Sequence, residues 1–251
     1  MSITVVRSLG LFFGAYGFLG CFTGQAGQPL AKIPPVQVQA LLSTTEPSGG
    51  TATLYIVPQD LTQCPKVADS TRADINGIAL ILSDSGGWRD RKGGFKYCAP
   101  PQFDGTGIPL TGDAMVRLHD STATFELDAP GALLPMSLAL VQPADGVLRP
   151  GAAAEIQITP TVGAITHASI GFLPTSASAT SFSVEFPSSA SNLSVSNSVL
   201  SFTVPSTTAP AVGSLKLSVS IAVTPSRCKG PAVCAAQTGG SGSIATSVTA
   251  L

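Results

Sequence analysis

The residues best equipped for chemistry lie in one short stretch, Gly86-Gly-Trp-Arg-Asp-Arg-Lys-Gly-Gly94. It holds the sole tryptophan and three of the 13 lysines and arginines. An indole face stacks on a sugar or an aromatic ligand, and guanidinium and ammonium groups hold anions. Trp88, Arg89, Arg91 and Lys92 are therefore a candidate binding loop, and the Gly pairs mark it as a turn-bounded segment. The plainer reading is a solvated hairpin tip with Trp88 folded back onto a sheet. His119-Asp120 offers the elements of acid–base chemistry. Adjacent residues of a strand point to opposite faces, however, so this pair fits turn chemistry better. His167 has no partner visible in the sequence.

Other catalytic and metal-binding patterns are weak. Serines are too numerous to nominate a nucleophile, and no Gly-x-Ser-x-Gly elbow occurs. Asp104-Gly-Thr-Gly107 lacks the oxygen ladder of a calcium loop. The cysteine spacings lack the paired short knuckles of a zinc site, and there are two histidines. No cofactor and no metal is expected, and the chain reads as non-enzymatic. An extracytoplasmic hydrolase built around His119 is the alternative from another class.

The amino terminus has the layout of a secretory signal. Arg7 is the one early charge, and an apolar stretch follows from Leu9 to Leu19. That stretch is too short to span a bilayer core, which needs about 20 residues in a helix. Phe18-Leu19-Gly20-Cys21 resembles the lipobox of bacterial lipoproteins, with Gly20 and Cys21 matching its last two positions. The resemblance implies a diacylglyceryl group on the Cys21 thiol and an acylated amine, and hence stable membrane anchoring. Phe22 stands where many lipoproteins carry the Asp that retains them at the inner membrane, so the resemblance implies the outer membrane. Ordinary cleavage near Gly24-Gln25-Ala26 would instead release a secreted or periplasmic soluble protein.

Five cysteines leave one thiol unpaired in an exported protein. With Cys21 committed to lipid, Cys64, Cys98, Cys228 and Cys234 remain, with three pairings open. Local folding favours Cys64–Cys98 and Cys228–Cys234, each within one expected domain. On the chain-entropy model the longer loop would contribute about 3–4 kcal/mol and the shorter about 2 kcal/mol.

The elements that must position these residues are strands. Charged residues make up 11% of the chain and the net charge is −1, which leaves no electrostatic footprint for nucleic acid. Twenty prolines and 26 glycines fit many short strands joined by turns. Thr23 to Pro35 reads as a tether. Val36 to Leu42 and Thr51 to Val57 read as strands, and Ile78 to Leu82 is apolar enough for a central one. Met115–Leu118 and Ala123–Leu127 flank His-Asp-Ser-Thr as a hairpin.

From Met136 the charges thin out. Leu138 to Arg149 followed by Pro150-Gly151 resembles the entry of a bacterial immunoglobulin-like domain, where a first strand reaches Pro, turns through Asp-Gly and meets Pro-Gly. Alternation at Ile156/Ile158, Phe182/Val184/Phe186, Leu200/Phe202/Val204 and Leu215 to Val223 supports an antiparallel sandwich independently. Gly239-Gly-Ser-Gly242 reads as a flexible turn before a last strand, Ile244 to Val248.

The expected fold is all-β: a signal peptide (1–20), a tether (21–35), and two consecutive immunoglobulin-like β-sandwich domains (36–135 and 136–251). The expected role is a structural or binding module of the cell envelope. Its membrane contact is a lipid on Cys21, its partner is a polysaccharide or protein, and it has no nucleic-acid partner. An assembly subunit, pairing through an exposed edge such as Val36 to Leu42, is the alternative.

Overall fold

The computed structural model describes residues 25–44, 49–92, 94–159, 163–176, 179, 181–187, 193–196 and 198–249. The expected signal segment and Cys21 lie outside them. Among the described residues, nineteen strands carry the fold. In the first half they are β1 (Val36–Ser43), β2 (Gly50–Pro58), β3 (Arg72–Ile75), β4 (Ile78–Asp84), β5 (Gly87–Arg91), β6 (Phe95–Ala99), β7 (Gln102–Ile108), β8 (Gly112–His119) and β9 (Thr124–Leu133). The second half contains β10 (Ser137–Gln142), β11 (Val147–Leu148), β12 (Ala153–Thr159), β13 (Ala164–Pro174), β14 (Phe182–Phe186), β15 (Ser194–Ser196), β16 (Val199–Thr203), β17 (Ala211–Val223), β18 (Arg227–Lys229) and β19 (Val233–Val248). The chain is all-β, with one short 3-10 turn at Leu30–Lys32. Among the described residues no helix is long and apolar enough to cross a membrane.

Two hydrophobic cores form. The first gathers alternate residues of β1, β2, β3, β7, β8 and β9, among them Val38, Leu54, Ile56, Ile75, Phe103, Leu118 and Leu127. Strict in–out alternation in β1, β2 and β8 matches a sheet with one face buried and one facing water. Strand β4 links two layers: Ile78–Leu80 pair with β3, and Ile81–Asp84 pair with β7. It is a central strand, as its apolar run predicts, lying between β7 and β3, but within Ile78–Leu82 only Leu80 is buried and Ile81 is 74% exposed. A strand shared between layers turns its neighbours outward at the crossing.

The second core packs Ile156, Leu200 and Phe202 against Ile170, Phe172, Leu215 and Ile221. Four strands in the order β10-β12-β16-β15 face β11, β19, β17, β13 and β14, which adjoin in that order. With strands lettered along the chain, these are the A-B-E-D and G-F-C-C′ sheets of an immunoglobulin-like sandwich. The first strand divides as β10 and β11, which pair in opposite sheets. Between them lie the cis Gln142–Pro143 bond and an Asp145-Gly146 turn, with Gly146 at φ 71°. Phe182 stacks on Phe172 with centroids 5.7 Å apart.

Strand β19 joins the halves. Val233–Gly239 lie parallel to β1, and Ala236–Val248 lie antiparallel to β17. Val223 and Ala236 consequently belong to the first core. Three sequence expectations are corrected here. Val36–Leu42 is no free edge, because β1 lies between β2 and β19. Gly239–Gly242 is no flexible turn but the middle of β19. A Cβ on Gly242 would meet Leu138 Cδ1 at 2.8 Å, so the glycine serves close approach between the two sheets. The expected tether is docked from Gln25 onward. Gln28 bridges to Val67, Leu30 is 1% exposed, and the Leu30 N–H donates to Asp120 Oδ2 at 2.7 Å. A leucine that can be buried against a core outweighs the flexibility its polar neighbours imply.

Candidate functional site

The stretch Gly86–Gly94 opens a two-stranded hairpin, β5 and β6, that stands apart from the main sheets. Its base is held firmly. Gly86 at φ 82° makes the entry turn, where a Cβ would meet the Pro101 ring at 2.5 Å and Pro65 O at 2.7 Å. The Gly86 N–H donates to Asp84 Oδ1, and the same carboxylate pairs with Arg89. A disulfide joins Cys98 of β6 to Cys64, with Cα atoms 5.4 Å apart. The Gln25 side chain bridges both parts, donating to Cys64 O at 2.9 Å and accepting from the Trp88 N–H at 3.4 Å.

Register decides what the hairpin offers. Trp88 lies opposite Cys98, Arg89 opposite Tyr97, Asp90 opposite Lys96 and Arg91 opposite Phe95. Directly opposed residues share a face, and successive ones alternate. Trp88, half-buried, therefore lies on the face with Asp90, Cys98 and Lys96. Arg89 and Arg91 occupy the other face, with Phe95 (65% exposed) and Tyr97 (44%). Lys92 is exposed at the tip. The four residues read from the sequence as one binding loop are thus divided across the ladder. The aromatic groups beside the arginines come from β6. Folding the sequence about Gly93-Gly94 and applying period-two alternation would have found them.

Cys228 and Cys234 form the second disulfide, closing a loop beside β18. The pairing is the one local folding favours, but its expected place in the second domain is corrected. Strand β18 pairs with β9, so this link sits on the first core. The chain reaches it because β17 and β19 run past the second sandwich into the first.

His119 ends β8 on the outer face of the first half, where Asp74, Arg117, His119, Thr124 and Glu126 line a shallow depression of about 320 Å³. Asp74, Arg117, Glu126 and Lys229 are cross-strand neighbours in one row of alternating charge. Glu126 also pairs with Arg227. Opposite charges set across strands are ordinary sheet stabilisation. Asp120 is engaged within its own turn and by the amino-terminal segment. Its carboxylate accepts from the Thr122 N–H, the Thr122 hydroxyl and the Ala123 N–H, besides Leu30. Partial burial pushes this carboxyl up, but those hydrogen bonds outweigh it and leave it below the usual aspartate range. His167 lies on β13 opposite Ser220, in the other half of the protein from His119. Among the described residues, no group of three or more His, Cys, Asp or Glu is placed to hold a metal ion.

No family model matches the chain. No curated protein matches its sequence. Solved structures similar to it are tandem immunoglobulin repeats. A chimeric titin Z1Z2 functionalized with a KLER exogenous peptide from decorin is 11% identical, covering 87% of this chain and 94% of that one, at a TM-score of 0.21. The tandem Ig repeats of Dlar are 12% identical, covering 87% and 96%, at 0.22. The immunoglobulin-like assignment rests on strand order, not on these overlays.

Proposed function

We propose that this is a non-enzymatic, exported envelope protein held to the membrane by a lipid on Cys21. In this reading its rigid β-sandwich body acts as a structural or binding module. The observation that carries the reading is the cysteine pairing. Two disulfides take up Cys64, Cys98, Cys228 and Cys234, and the remaining cysteine is the one in the lipobox-like segment. Disulfides persist in oxidising compartments, which favours export. The outer membrane is the proposed site, because Phe22 follows the cysteine. A polysaccharide or protein partner is proposed for the exposed loops. The non-catalytic reading is supported by Asp120 being occupied in its turn and by Glu126 being paired with Arg227.

Membrane fractionation of cells expressing the wild type beside Cys21→Ser tests the proposal. The wild type is expected in the membrane fraction and released only by detergent, with the variant losing its lipid-dependent membrane association. Recovery of the wild type in the aqueous fraction would reject the anchor.

A further inference from the structure

We propose that the β5–β6 hairpin is a foot that rests on the anionic membrane surface, its Arg89–Arg91–Phe95–Tyr97 face meeting lipid headgroups. The inference rests on the anchor proposed above and names the partner of the candidate site.

Three observations converge. The first is position. The hairpin leaves the sheet between Asp84 and Gln102, which pair with each other; Gln102 lies opposite Tyr55, Tyr55 opposite Gln39, and Gln39 opposite Ala235. This end of the first half carries Val36, Pro58 and Val233. Strand β19 leaves it in the opposite direction and ends at Val248, beside Ala211. The hairpin thus lies at the end of the molecule away from the second sandwich.

The second is reach. Gln25 is hydrogen-bonded to the hairpin base at the Trp88 N–H. Cys21 precedes Gln25 by only four positions, so its backbone lies within about 14 Å of Gln25 in any conformation. The hairpin extends roughly as far, about 14 Å from Gly87 to Arg91. A lipid on Cys21 therefore holds the bilayer surface within the span of the hairpin.

The third is chemistry. Between Asp84 and Ala99 there are four basic residues and two acids, a local charge of +2 with Asp84 paired to Arg89, in a chain whose total is −1. Arg91 and Lys92 are exposed near the tip, and Phe95 and Tyr97 lie exposed on the face of Arg91. Aromatic side chains beside cations are the composition that settles at a headgroup layer. Each Lys or Arg near an anionic surface strengthens binding by about fivefold.

The test uses the full lipidated chain and an indole as the probe. Intact mass first establishes whether the chain carries lipid. A Trp88→Phe/Phe95→Trp chain is then reconstituted in phosphatidylethanolamine/phosphatidylglycerol vesicles with brominated acyl chains, which quench nearby indoles. The control is Trp88→Phe/Val212→Trp, since Val212 lies about 37 Å from Val223 along β17. The proposal expects strong quenching at position 95 and little at 212. Adding Arg91→Glu/Lys92→Glu should reduce the first by about twofold or more. Should Trp88→Phe fail to fold by circular dichroism, the same comparison is made with Trp88 in the wild type and in Arg91→Glu/Lys92→Glu. A lipid-bearing chain with no quenching at 95, or with equal quenching at 95 and 212, overturns the foot and leaves the anchor standing. A chain without lipid rejects the anchor. Its unmodified form is then added to the same vesicles, where quenching at 95 supports the foot and its absence rejects it.

Discussion

Asp120 occupies a position where one substitution separates turn chemistry from acid–base chemistry. Its carboxylate holds the β8–β9 turn through Thr122 and Ala123, and holds the amino-terminal segment through Leu30. Asp120→Ala removes the acceptor and leaves the Leu30 N–H, on a residue 1% exposed, without its partner. An unsatisfied buried donor costs about 1–3 kcal/mol. The turn amides regain water, so they add about 0.5–1 kcal/mol, as for a lost helix cap. The expected destabilisation is about 2–3 kcal/mol. With a urea dependence of about 2 kcal/mol per molar, the midpoint falls by about 1 M or slightly more. Trp88, the sole tryptophan, reports the unfolding of this half by fluorescence. The pH dependence has a definite sign. The folded carboxyl titrates below its unfolded value of about 3.9, so its contribution is complete above that value and is lost as pH falls through the folded one. The gap between wild type and variant should be constant from about pH 8 to about pH 5 and close below about pH 4. A midpoint shift corresponding to less than about 0.5 kcal/mol, below the net worth of one ordinary hydrogen bond, would refute the reasoning.

Further perturbations probe other parts of the fold. The disulfides close loops with sequence separations of 34 and 6. Replacing Cys64 and Cys98 with Ser should therefore destabilise by about 4 kcal/mol, against about 2 kcal/mol for Cys228 and Cys234, and urea midpoints of the two double variants check the order. Phe202→Ala empties a site 2% exposed in the second core and should cost about 3–5 kcal/mol, read by calorimetry. Gly213→Val places a Cβ 2.4 Å from Leu173 O and 2.8 Å from the Phe172 ring. It should destabilise by about 1–3 kcal/mol, with exchange protection of β13 and β17 amides as the readout.

The second sandwich is more legible in the sequence than the first, and the reason is periodic. Leu215 to Val223 alternates because one face of β17 is buried throughout, and Ile156, Ile158, Leu200 and Phe202 behave alike. Strand β19 breaks the pattern. Its Gly239–Gly242 stretch has almost no side chains to alternate, and the neighbour that packs closely on Gly242 is the distant Leu138. The burial of Leu30 and the interior place of β1 are likewise set by distant strands, which local pattern does not report. At the hairpin the residue types were visible, but their faces were not. Trp88 and Arg89 are neighbours in sequence and opposites across the ladder, while Phe95 joins Arg91 only once the chain folds back.

The anchor at Cys21 is the claim on which the membrane attachment depends, and it supplies the reach argued for the membrane-facing hairpin. Intact mass spectrometry of the mature wild-type protein, run beside Cys21→Ser, tests it most directly. The account predicts a chain beginning at residue 21 with the added mass of a diacylglyceryl group and an amide-linked acyl chain, both absent from the variant. A wild-type mass without lipid, or a mature chain beginning beyond residue 21, would contradict it.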